Sequence, residues 1–96
     1  MKILAIEKPC QDAGADAFKP LLKHEALKVW ELSQAGIIRE SYFRANRAEA
    51  VLILECRNVL EAQEILGALP LVRRGLITFE IIPLRAYSGI SRLFAG

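Results

Sequence analysis

Two side chains of this sequence stand where they could move a proton. Glu25 interrupts apolar residues that recur at three- and four-residue spacing, Leu21, Leu22, Ala26 and Val29. That spacing is helical, and it sets the Glu25 carboxylate one turn from aliphatic groups, where lost hydration raises a carboxyl pKa toward the range useful to a general acid or base. The plainer alternative is a Glu25 at the edge of the stripe that reaches water or pairs with Lys28. His24, the only histidine, is the second candidate proton carrier, against an ordinary solvated role beside Lys23. Arg39 falls in the middle of a strand-like run, and a guanidinium on an enclosed face needs an anion. Either Glu55 of a neighbouring strand supplies it, or the carboxylate or phosphate of a ligand does. With Ser41, Thr78 and Glu80, these two residues form a candidate substrate-binding set, and Glu7 adds another polar group to the same face.

Other chemistries find little support. One histidine and two separated cysteines, Cys10 and Cys56, give no usual metal-ligand spacing, so no metal is expected. The cysteines read as free thiols of a reducing compartment. There is no glycine-rich phosphate loop, nucleophile elbow or dinucleotide fingerprint. A formal net charge of +2 is too small to suggest a polyanion partner. The first and third strand-like runs also lack aromatic residues on which bases could stack, which argues against nucleic-acid binding. No apolar stretch approaches the roughly 20 residues that cross a bilayer. The start of the chain is interrupted too early, by Glu7 and Lys8, for a secretory signal, and a cytoplasmic protein with no membrane partner is the expectation.

The elements that must position these groups follow from periodicity and punctuation. Residues 2–7 read as a strand. A helix runs from Phe18 through Leu32, with Pro20 in its first turn and Gly36 as its cap. Residues 37–44 and 49–57 are two further strands. Asn58 with Glu61 resembles a capping box that opens a second helix, through Leu69 and stopped by Pro70. Residues 76–84 form a fourth strand, and residues 85–96 a tail. The order strand, helix, strand, strand, helix, strand predicts a single ferredoxin-like α+β domain over residues 1–96, a four-stranded antiparallel sheet with two helices on one face.

Alternation divides the strands into two faces. Leu4, Ile6, Ile38, Tyr42, Leu52, Leu54, Cys56, Ile77, Phe79 and Ile81 are expected beneath the helices. Ile3, Ala5, Glu7, Arg39, Ser41, Phe43, Val51, Ile53, Glu55, Thr78, Glu80 and Ile82 are expected on the other side. Two helices cover one face only, so a second copy is expected to cover the other, giving a dimeric α+β barrel lined by the polar set. A hydrophobic fraction of 53% in 96 residues, high for a small monomer, agrees with such an assembly. The tail, with Tyr87, Leu93 and Phe94, either caps its own barrel or clasps a neighbour.

From Leu22 through about Ile90 the chain resembles the muconolactone isomerase family. The likeness rests on Glu25 in the first helix, the Gly36 cap, Arg39 three residues on, and the Leu69-Pro70-Leu71 junction before the last strand. The pattern departs at Val72-Arg73-Arg74, where the family carries aromatic residues, and at His24, where it carries an acidic one. The resemblance implies a homo-oligomeric barrel and a cofactor-independent isomerase that shuttles a proton on a small unsaturated lactone acid. Glu25 would be the carrier and Arg39 the anchor of the substrate carboxylate. Two other readings stand beside it: a non-catalytic barrel that binds a small molecule, and a cofactor-independent monooxygenase or haem-handling protein of the same wider fold, with His24 as the iron ligand.

Overall fold

The computed structural model describes residues 1–10 and 14–95. Strand β1 (Lys2–Pro9) is followed by a single helical turn, α1 (Ala15–Phe18), a 3-10 turn (Lys19–Leu21) and helix α2 (Leu22–Gln34). Strands β2 (Ile38–Phe43) and β3 (Ala50–Glu55) come next, then helix α3 (Val59–Gly67), the short α4 (Pro70–Arg73), β4 (Ile77–Leu84) and a second 3-10 turn (Ser88–Phe94). The strands form one antiparallel sheet in the order β2-β3-β1-β4, an α+β arrangement compatible with a ferredoxin-like fold. Among the described residues no helix is long and apolar enough to cross a membrane.

Local chemistry sets the helix ends. Pro20 sits at the start of the 3-10 turn, so the helix expected from Phe18 onward is divided there, and α2 begins at Leu22. At the other end Gly36 adopts φ 77°. Its N–H donates to the Ser33 carbonyl at 3.1 Å while that of Ile37 donates to Leu32 at 3.0 Å, a Schellman closure. A Cβ at Gly36 would meet nothing within 4 Å, so Gly36→Ala tests the backbone conformation alone. We expect a loss of about 1 kcal/mol, seen as a melting temperature lower by roughly 4–8 °C. An unchanged melting curve would show that the left-handed turn is not required.

Helix α3 opens on Asn58, whose Oδ1 accepts from the Glu61 N–H at 2.8 Å. Glu61 reaches back past the cap to accept from the Arg57 N–H at 3.0 Å, a capping box displaced by one residue. The helix ends at Gly67, before Pro70. Pro70 instead occupies the first turn of α4, where its missing N–H costs nothing, so the expected stop signal also starts an element.

The core joins Ile3 and Ala5 of β1, Ile38 of β2, and Leu52 and Leu54 of β3 to Ala62, Leu66 and Leu69 from the helical layer. Two strands therefore face differently from the alternation read in the sequence. In β1, Ile3 pairs with Leu54 and Ala5 with Leu52, so Ile3, Ala5 and Glu7 lie beneath the helices and Leu4 and Ile6 on the far side. In β2 the register shifts between Ile38 and Glu40, which makes Arg39 the extra residue of a bulge. Ile38 keeps its expected side, but Ser41 and Phe43 turn under the helices and Tyr42 turns outward.

Among the described residues no helix packs on the far face of the sheet. Ile82, Leu4 and Ile53 form one row across β4, β1 and β3, with Ile6 and Val51 in the next. Lys2, Lys8, Glu40, Glu55, Thr78 and Glu80 surround them. Beyond β4 the tail leaves Tyr87 at 73%, Leu93 at 81% and Phe94 at 84% exposure, so it does not bury these side chains on its own sheet. The radius of gyration, 15.7 Å, accordingly exceeds the ~12.5 Å of a compact chain of this length.

Candidate functional site

Helix α2 buries none of its 13 residues fully, although its sequence carries an apolar stripe. The reason is a cleft of about 1020 Å³ between α2 and the sheet. Its floor comes from Glu7 and Pro9 of β1, Ser41 and Phe43 of β2, Ala50 and Leu52 of β3 and Phe79 of β4. Phe18, Leu22, Glu25, Val29 and Trp30 form the opposite wall, and Leu71 of α4 lines one end. Trp30 and Phe43 stand largely exposed at the mouth, at 59% and 73%.

Of the three carboxylates that line this space, Glu49 is paired with Arg44 and Arg47, which leaves Glu25 and Glu7. Glu25 Oε1 accepts from the Leu71 N–H at 3.0 Å, which fastens α2 to the first turn of α4. Glu7 Oε1 accepts from the Ala50 N–H at 3.0 Å, where β3 begins. Each is half-buried, and for each burial is the main cause of a pKa above the ordinary 4.5. The backbone bond to Leu71 opposes this rise at Glu25, the negative charge of Glu7 adds to it, and the neighbouring His24 opposes it slightly. At Glu7 the Ala50 N–H opposes the rise and the charge of Glu49 adds to it. Two acidic groups are thus held in one apolar cleft, each with a proton affinity above that of a free carboxylate.

The other candidates of the sequence are placed elsewhere. Lys28 pairs with Glu31 at 3.5 Å, not with Glu25. His24 is exposed on α2 and does not line the cleft. Arg39 is also exposed, and its Nε donates to the Gly36 carbonyl at 2.5 Å, so the bulge residue braces the α2 cap instead of meeting Glu55. Glu55 pairs with the N-terminal ammonium at 3.2 Å, and Glu80 with Lys8 at 3.7 Å. Glu55, Thr78 and Glu80 lie on the far face of the sheet. Of the proposed substrate-binding set only Ser41 lines the cleft, because the bulge at Arg39 rotates it inward. Among the described residues no group of three or more His, Cys, Asp or Glu side chains could hold a metal ion.

Glu7, like Ser41, is a cleft residue that the sequence placed on the wrong side. The only signal that could have turned β1 was Lys2 and Lys8, which share the side of Leu4 and Ile6 and mark it as the face away from the helices.

The raised pKa of Glu25 has a consequence for stability whose sign is fixed. A carboxyl whose folded pKa lies above its unfolded value contributes stability below the unfolded pKa and loses it as pH rises through the folded one. Gln in its place keeps an oxygen for the Leu71 N–H and carries no charge. Glu25→Gln should therefore match the wild type below pH 4.5 and gain on it as pH rises to about 8. Glu25→Ala strands the N–H of buried Leu71 and should lose about 1–3 kcal/mol. Thermal melts across that pH range check both, and a Gln variant that loses ground as pH rises would reverse the assignment.

Comparison with protein-family models finds none that matches this sequence, and comparison with curated proteins finds no matching relative.

Proposed function

We propose that this chain is a cofactor-independent, isomerase-like enzyme that moves a proton within a small unsaturated molecule held in the cleft under α2. The observation that carries this reading is the Glu25 carboxylate, half-buried on the wall of a large apolar cleft, kept above its ordinary pKa, with Glu7 beside it. Such a group is a base strong enough to take a proton from carbon activated by a neighbouring carbonyl, and an acid able to return it. In the step proposed, Glu25 removes the proton, the electron pair enters the conjugated system, and the same carboxyl delivers the proton to the far carbon. The double bond shifts and nothing is oxidised or reduced. The resemblance to the muconolactone isomerase family through Glu25, Gly36 and Leu69-Pro70-Leu71 supports the same chemistry.

The assembly proposed with it is a homodimer in which the far faces of two sheets meet as an α+β barrel. Support comes from the row Ile82, Leu4, Ile53 and its neighbours Ile6 and Val51, which no helix among the described residues covers. In this assembly the polar groups at the dimer seam are Glu55, Thr78 and Glu80, while the chemistry lies under the helices.

The test is solvent-deuterium incorporation, followed by proton NMR, into a panel of small unsaturated lactones, esters and aminoketones. Wild type should exchange one carbon-bound position of a member of the panel, and Glu25→Gln should not. Equal exchange by both proteins would remove Glu25 as the carrier. A ligand that binds both without exchange would make the chain a non-catalytic binding protein.

A further inference from the structure

The charge of the cleft selects its ligand. Three carboxylates and one cation line it among the described residues: Glu7, Glu25, Glu49 and Lys19. Glu49 already has cation partners, with Arg44 at 3.5 Å and Arg47 at 3.6 Å from its Oε1. Lys19 is largely solvated where it lines the cleft, its side chain 73% exposed and 3.9 Å from Asp16. That leaves Glu7 and Glu25. One oxygen of each is committed to a backbone N–H, and the other has no partner among the described residues.

Three kinds of occupant can be compared. An anion would meet the two like charges of Glu7 and Glu25, while Lys19, the one cation among the described lining residues, is largely in solvent beside Asp16 and Arg39 is engaged with Gly36 outside the cleft. A neutral apolar molecule would fill the space but strip the remaining water from both carboxylates, a penalty nothing repays. A small organic cation does the reverse. Its ammonium completes the hydrogen bonding of the free oxygens in a charge-assisted way. Its body lies among Phe18, Trp30, Phe43 and Phe79, whose ring faces attract cations as well as apolar surface.

We infer that the cleft takes a primary amine with an aromatic or alicyclic body, its ammonium held by Glu7 while Glu25 stays within reach of the carbon skeleton. This rests on the cleft being the ligand site, and it replaces the carboxylated substrate that the family resemblance implies. An ammonium at Glu7 also keeps Glu25 ionised, which is the form that can accept a proton.

Three probes with one body and different charge separate the possibilities: 2-phenylethylamine, 2-phenylethanol and 3-phenylpropionate, titrated into the full chain by calorimetry or ligand-observed NMR. The amine should bind at least tenfold more tightly than the acid, with the alcohol between them. Glu7→Gln should weaken the amine and narrow its preference over the acid to what Glu25 alone sustains, and acidification through the carboxyl titrations should weaken the amine alone. An acid that binds as tightly as the amine overturns the ligand class while leaving the cleft as the site. Amine binding unchanged in Glu7→Gln overturns the role of Glu7 and marks adsorption elsewhere. No binding by any probe at millimolar concentration overturns both this inference and the cleft as a ligand site.

Discussion

Replacing Glu25 by Gln is expected to slow deuterium incorporation by about 10²- to 10⁴-fold, the range over which a positioned acid or base accelerates proton transfer. The substitution is a narrow one. The amide oxygen of Gln accepts the Leu71 N–H as Glu25 Oε1 does, so the joint between α2 and α4 is kept and the cleft retains its shape. What is lost is the capacity to bind and release a proton. A fall in rate without a fall in stability therefore assigns the proton to Glu25. Glu25→Asp probes the geometry: the side chain is one methylene shorter, can ionise, and cannot hold the Leu71 N–H at the same distance. It should recover part of the rate and lose stability. A Gln variant with undiminished exchange would leave Glu25 as a structural tie only.

Ile53→Asp is expected to separate the proposed dimer while leaving the fold intact. Ile53 lies between Leu4 of β1 and Glu40 of β2 on the far face, and its neighbour Leu54 is fully buried on the other. Because side chains alternate across the strand, an Asp at position 53 points away from the core. In the proposed barrel it is buried against a second copy, and by symmetry each dimer buries two. An unpaired buried charge costs several kcal/mol, so association should weaken by at least about 10³-fold. Sedimentation should then give the 10.7 kDa of one chain where wild type gives two, with the circular dichroism of the sheet retained. A variant with the mass of wild type would place the interface elsewhere.

The strands that were legible in the sequence are those whose two faces differ in polarity. In β4, Thr78 and Glu80 alternate with Ile77, Phe79 and Ile81, and in β3 Leu52 and Leu54 alternate with Ile53 and Glu55, so pattern and structure agree. β1 offers Ile3 and Ala5 on one side against Leu4 and Ile6 on the other, and a one-residue choice between two apolar faces cannot be made from alternation. β2 fails for a different reason: a bulge obeys no period, and Arg39 exchanges the sides of everything after it. These two strands supply the Glu7 and Ser41 that line the cleft, so the errors of face fall on the site. Glu25 was legible because the helical stripe around it is strongly periodic. That α2 would stand off the sheet was not, since an apolar stripe reads the same whether it faces a core or a cleft.

The proton chemistry and the choice of ligand both depend on the ionisation of two side chains, and carbon-13 NMR titration of the Glu7 and Glu25 carboxyl carbons measures it without knowledge of any substrate. Both should titrate above 4.5, and Glu25 should move back down in Glu7→Gln as its like-charged neighbour is removed. A Glu25 that titrates at or below 4.5, unmoved by Glu7→Gln, would contradict the cleft chemistry and leave the carboxylate with its hydrogen bond to Leu71 as its whole role.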